Sequence, residues 1–324
     1  MKMRNILILI SFISVITISG FQNQLNVKYE NMGGNGMAYV CHINQDFVTV
    51  FDTKNNEPVG KIDCGKGSST ICFSPDGKFG YIANFMSNDV TVFDKRNNSI
   101  IATVTAGEHP QTVIPVQNGK YVFISHESND GDWVLNTSDN TIFKKLDEGT
   151  GRLYLVDNQS KIYQPQIFTP FLFVIDPNTF AITKRVNTGG RPLDMAFIND
   201  KYGYIANYDL NELTKIDIKA DSVVGHVKNT NHARGIAATS DGKLIFVTDV
   251  NDNKVNVVSA ETDEVISSID GFKMPVAITI TSDNKFAYVV NQGSASISVV
   301  DTDSKQIIKT ISVANNPISI YIDY

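Results

Sequence analysis

One position returns along almost the whole chain. The residue that closes an alternating apolar segment is Asp52, Asp94, Asn136, Asp176, Asp217, Ser259 and Asp301, at intervals of 42, 42, 40, 41, 42 and 42 residues. A period of this length marks one supersecondary unit repeated, and each such unit buries its apolar face only by stacking on its neighbours. The chain has 324 residues, whereas an undivided core stops growing at roughly 250–300 residues. A repeat resolves that difficulty without a second domain.

The second copy shows the unit most clearly. It reads YIAN (Tyr81 to Asn84), VTVFD (Val90 to Asp94), IIATV (Ile100 to Val104), GEHP (Gly107 to Pro110) and QTVIPV, ending on the turn QNGK. The segments are short, rich in Val, Ile, Thr, Phe and Tyr, alternate with period two, and are divided by Asn, Asp, Gly and Pro clusters, so they predict strands joined by tight turns. No segment has the periodicity of an amphipathic helix. The aromatic-led tetrads are Ala38 to His42, Tyr81 to Asn84, Phe123 to His126, a degenerate copy near Tyr163 to Ile167, Tyr204 to Asn207, Phe246 to Asp249 and Tyr288 to Asn291. Strands following the Gly-x-x-Pro loops begin near Ser69, Gln111, Arg152, Leu193, Arg234, Val276 and Ile318. Four antiparallel strands per unit predict an all-β, seven-bladed β-propeller of four-stranded blades. The first copy starts at its second strand and the chain ends on a lone first strand, so the C-terminal strand is expected to join the first blade and close the ring.

Residues 1–20, MKMRNILILISFISVITISG, join a basic start to an apolar stretch and a small-residue exit, the pattern of a cleaved signal peptide. Residues 21–37 then form a lead-in segment and 38–324 the propeller. The expected location is periplasmic, secreted or at the cell surface, with no transmembrane segment once the signal is removed. Net charge is −6, with 42% apolar and 19% charged residues. That balance suits a folded globular protein and disfavours bulk nucleic-acid binding. Cys41, Cys64 and Cys72 are odd in number, so at least one is unpaired within the chain.

YIAN, YVVN, VTVFD, ISVVD, SPDGK and GEHP resemble the repeat of the YVTN family of β-propellers, which includes the YncE-like exported bacterial proteins. The resemblance covers Ala38 to Tyr324. It implies the fold strongly and the function weakly, because similar repeats serve surface-layer proteins, ligand binders, lactonases and partners of redox enzymes. The third unit departs from the pattern over His126 to Asn140 and Asp157 to Phe173.

Strand polarity brings the tetrad ends and the Gly-x-x-Pro loops to one face, beside the channel mouth. The tetrad ends are His42, Asn84, His126, Gln166 or Ile167, Asn207, Asp249 and Asn291, and the loop positions include His109, Arg191 and His232, followed by Arg152 and Arg234 in the inner strands. Repeated residues build the blade; unrepeated polar ones are free to make a site. The candidate ligand-binding residues are therefore His42, His109, His126, Arg152, Arg191, His232, Arg234 and Asp249. Arginine and histidine converging on a mouth favour a small anionic ligand, a peptide or a partner protein. No catalytic residue is assigned: there is no Gly-x-Ser-x-Gly elbow or phosphate-cradling loop, and Glu108, Glu127 and Asp249 show no fixed carboxylate pairing. No metal is assigned either, since the histidines lie in different blades without local ligand spacing, and no cofactor follows from the chain, which has no Cys-x-x-Cys-His site. The preferred reading is a non-enzymatic binding or scaffold propeller. The alternatives are a lactonase- or lyase-type enzyme using the same face, and an accessory of a periplasmic redox system.

Overall fold

The computed structural model describes residues 36–128, 130–156 and 159–323. The expected signal peptide and nearly all of the lead-in segment lie outside these residues.

Seven four-stranded antiparallel sheets form the blades. Blade 1 combines β1 (Met37–His42), β2 (Phe47–Asp52) and β3 (Glu57–Asp63) with the last strand, β28 (Pro317–Asp323). β1 and β28 are antiparallel, with Met37 opposite Asp323 and Cys41 opposite Ser319. The ring is thus closed by pairing the two ends of the described chain, which covers the edge of β1 that would otherwise be open. The remaining strands follow in fours, from β4 (Ser68–Phe73) at the inner edge of blade 2 to β27 (Gln306–Ser312) at the outer edge of blade 7. The inner strands of blades 3 to 7 are β8 (Pro110–Val116), β12 (Tyr154–Val156), β16 (Pro192–Ile198), β20 (Ala233–Ala238) and β24 (Pro275–Ile280).

The core is divided as the repeat demands. Seven apolar clusters each join two adjacent blades. Successive side chains of one strand point to opposite faces, so Tyr39 packs towards blade 2 with Phe73 and Phe93 while Ala38 and Val40 pack towards blade 7 with Tyr288 and Val290. The recurring Asp closes the turn after each third strand. Asp52 Oδ1 accepts from Lys54 N at 2.8 Å, Asp176 Oδ1 from Asn178 N at 2.7 Å and Asp301 Oδ1 from Ser304 N at 2.8 Å. This is a folding device, repeated because every blade needs the same turn. Among the described residues no helix is long and apolar enough to cross a membrane.

Candidate functional site

The loop and tetrad rings do meet on one face. In five blades the residue after the tetrad donates its backbone N–H to the loop carbonyl just before that blade's inner strand: Phe85 to Gly67, Glu127 to His109, Tyr208 to Arg191, Gln292 to Met274 and Ile43 to Asn316, at 2.8–3.1 Å. The loop residues His109, His232, Met274 and Asn316 all have positive φ, at 53°, 45°, 48° and 55°. The strain is held by the preceding blade, since Asn88 Oδ1 accepts from His109 N at 3.0 Å and Asn253 Oδ1 from Met274 N at 2.7 Å. His109 is thereby exposed and stacked on Phe85 at 4.4 Å between ring centroids, while His232 sits edge-on to Tyr208 at 5.5 Å.

The tetrad-end residues behave differently from expectation. His42, Asn84, His126 and Asn207 are fully buried, and Asp249 and Asn291 nearly so. They face the next strand of their own blade. Asn84 donates to Thr91, Asn207 to Thr214 and Asn291 to Ser298, each at 2.8 Å and seven residues ahead. His42 repeats this contact with Thr49 at 2.8 Å. His126 has Trp133 seven residues ahead, with ring centroids 5.7 Å apart, and its Nε2 bonds the Ala106 carbonyl. Gly107 backs this pair: it has φ +85°, and a Cβ there would lie 3.0 Å from both rings. Asp249 accepts from Asp252 N at 3.0 Å. The assignment of His42, His126 and Asp249 to the mouth is therefore corrected: their side chains are taken up inside the blades. Burial lowers the His42 pKa to about 4 and also lowers that of His126, so both are held neutral.

The mouth is instead lined from the inner strands. Most of these strands begin with a register shift, located between Ser68 and Thr70, Pro110 and Thr112, Pro192 and Asp194, Ala233 and Ile236, and Pro275 and Ala277. A bulge leaves its extra residue out of the ladder and re-aims the side chain. Gln111 and Arg234 occupy such bulges. Arg152 precedes β12, the shortest inner strand.

These positions gather charge on one arc. Arg152 Nη1 donates to Asp194 Oδ2 at 3.1 Å, and the Tyr154 hydroxyl donates to Asp194 Oδ1. Met195 N, at 2.9 Å, and Ile236 N, at 3.4 Å, also donate to the Asp194 carboxylate. Burial pushes the Asp194 carboxyl up, and these four partners pull it back. In the adjoining blade 3, Gln111 Nε2 donates to Glu127 Oε2 at 2.8 Å. Burial raises the Glu127 pKa, while Arg234, His109 and Arg152 act to lower it. Arg234 forms no hydrogen bond or ion pair among the described residues, and burial together with Arg152 lowers its pKa. Arg191 is used locally: it bonds Asp209 at 3.2 Å and lies 4.7 Å over the Tyr208 ring. Arg152, Arg234 and His109 are thus brought into one electrostatic group with Asp194, Tyr154, Glu127 and Tyr208, while Arg191 and His232 lie against the Tyr208 ring. Asp194 had a signal in the sequence. Its inner-strand counterparts are Thr70, Thr112, Leu153, Gly235, Ala277 and Ser319, so a lone carboxylate stands among uncharged residues.

Among the described residues no three His, Cys, Asp or Glu side chains gather as metal ligands. Cys41, Cys64 and Cys72 are free thiols, with Cys41 and Cys72 buried. The third-unit departure produces a different feature. Asp132 is fully buried where blade 3 meets blade 4 and accepts from Gln164 Nε2 at 3.1 Å, and its Oδ2 has no partner among the described residues. Burial pushes its carboxyl well up.

The family model of YNCE-like β-propellers matches residues 30–323. The chain belongs to that family. No curated protein matches it in sequence. Among solved structures, a functionally unknown protein from Desulfotomaculum acetoxidans is similar at 11% identity and TM-score 0.78, over 90% of this chain and 99% of that one. The dihydro-haem d1 dehydrogenase NirN is similar at 14% identity and TM-score 0.69, over 92% of this chain and 75% of that one. Apo AztD from Citrobacter koseri is similar at 13% identity and TM-score 0.61, over 89% and 98%. Identities this low establish the shared propeller and leave this YncE-like chain's ligand to its own residues.

Proposed function

We propose that this YncE-like protein is an exported, non-enzymatic binding propeller whose channel mouth takes a small anionic ligand. The observation that carries the reading is Arg234. It is a partly buried guanidinium on an inner-strand bulge, with no hydrogen bond or ion pair among the described residues and with a second arginine in its field. Arg152 is already matched by Asp194, so the like-charge repulsion between the two arginines is balanced on one side only. An anion at Arg234 supplies the missing charge and accepts from donors that are otherwise unused. His109 and His232 stand at the rim, where they add donors without a fixed charge.

The test is calorimetric titration of the purified protein with acetate, succinate, phosphate and sulfate. Arg234→Gln is expected to weaken the best of these at least tenfold, since a hydrogen bond to a charged group contributes about 1.5–3 kcal/mol. Unchanged affinity in that variant, or no heat with any anion, overturns the reading. Hydrolysis of a lactone panel that disappears on replacing His109 or His232 would move the protein to the enzyme class.

A further inference from the structure

The mouth holds two opposite charges that do not touch. Arg152 and Asp194 neutralise one another at 3.1 Å. This leaves Arg234 from blade 6 and Glu127 from blade 3. Arg234 is the strongest influence stabilising the Glu127 carboxylate, and Glu127 is the strongest influence stabilising the Arg234 cation, so each lies in the other's field. No ion pair joins them, which places every nitrogen of Arg234 more than 4.0 Å from the Glu127 oxygens. Glu127 is held by Gln111 at 2.8 Å, and its backbone N–H is bonded to the His109 carbonyl at 2.9 Å. Arg234 starts from a bulge in blade 6, three blades round the seven-bladed ring from the blade that carries Glu127. A simple anion at Arg234 would leave the carboxylate of Glu127 facing it with like charge, which costs affinity in a partly desolvated mouth.

We infer that the ligand is a small zwitterion, an α-amino acid or a molecule with the same carboxylate and ammonium groups, bridging Arg234 and Glu127. Its carboxylate accepts from the Arg234 guanidinium and its ammonium donates to Glu127, so both free charges are matched at once. The inference rests on the anion-binding reading and sharpens it.

Two ligand series separate the possibilities without any mutation. The first is L-alanine, propanoate and ethylamine; the second is L-phenylalanine, 3-phenylpropanoate and phenethylamine. The amino acid is expected to bind at least tenfold tighter than either single-charge analogue in one series or both. A carboxylate that binds as tightly as its amino acid overturns the zwitterion and leaves the anion site standing. No binding by any of the six overturns the zwitterion, and the inorganic anions then decide the broader reading. Glu127→Gln should lower amino-acid affinity about tenfold and leave the plain carboxylate unchanged or tighter, whereas Arg234→Gln should weaken both. Equal loss of both ligands in Glu127→Gln, with an unchanged unliganded melting temperature, also overturns the bridge.

Discussion

Blades 1 and 3 both carry histidine where three other blades carry asparagine, and they accommodate it in different ways. In blade 1, His42 reaches the hydroxyl seven residues ahead, as Asn84, Asn207 and Asn291 do. In blade 3 the partner position is Trp133, and His126 turns to the Ala106 carbonyl instead. The first is a substitution within the blade's own hydrogen-bond scheme. The second belongs to a rebuilt junction that also contains the buried Asp132 and Gln164. Departure from a repeat is therefore not in itself a sign of function, because the residue it meets on the next strand decides what the change does.

The largest difference between the two blades lies in their covalent continuity. Blade 3 is one segment of chain, while blade 1 is assembled from both ends of the described residues. Truncation after Asn316 removes β28, exposing the edge of β1 and the blade 1 cluster that Ile322 helps fill. Loss of the cooperative melting transition is expected, with aggregation, because inter-blade cores are closed only by their neighbours. A truncated protein that melts at the wild-type temperature would mean that blade 1 stands without its closure.

The two buried groups should respond to pH in opposite senses. The folded-state pKa of His42 is lowered from 6.5 to about 4. Its contribution is complete above 6.5 and is lost as pH falls towards 4. His42→Asn should therefore match the wild type near pH 7.5 and exceed it by about 2–3 kcal/mol near pH 4.5, because the amide keeps the bond to Thr49 and cannot be protonated. Asp132 behaves as the reverse case, since its folded pKa is raised above the ordinary 3.8. Its contribution is complete below that value and is lost as pH rises through the raised folded one. Asp132→Asn should add about 1–2 kcal/mol at pH 7 and little at pH 4, by removing the need to bury a charge without a cation. Denaturant titrations at the two pH values check both, and parallel shifts in the same direction would break the contrast.

How far the chain could be read in advance follows the same division. The ring, its seven blades and its closure were legible because strand patterning and turn residues recur in every copy, and Asp52, Asp176 and Asp301 perform one local task that depends on neighbours in sequence. The mouth was legible only in part. Arg152, Arg191, Arg234, His109 and His232 were singled out because loop and inner-strand positions vary between copies. His42, His126 and Asp249 were misplaced because strand polarity brings the tetrad ends to one face without saying where their side chains turn, and these are taken up by Thr49, by Trp133 with the Ala106 carbonyl, and by Asp252 N. The Asp194 ion pair lay beyond sequence reasoning for a related reason: its partner is 42 residues away in the previous blade.

The smallest contrast between blades 1 and 3 lies in the turn that follows the third strand. Asp52 caps it with a charged oxygen 2.8 Å from Lys54 N, whereas blade 3 uses Asn136, with its oxygen 3.1 Å from Ser138 N. A carboxylate accepts a backbone N–H more strongly than an amide does, although solvent exposure reduces the advantage. Asn136→Asp restores the residue found in most copies and should stabilise the protein by a few tenths of a kcal/mol, up to about 0.5 kcal/mol, lost again below pH 4. The variant is measured beside Asp52→Asn, which should give a change of the same size and opposite sign if the two turns are equivalent. A gain in blade 3 without a matching loss in blade 1 would show that the rebuilt junction at Asp132 reaches the outer turn, extending the divergence of blade 3 beyond its buried core.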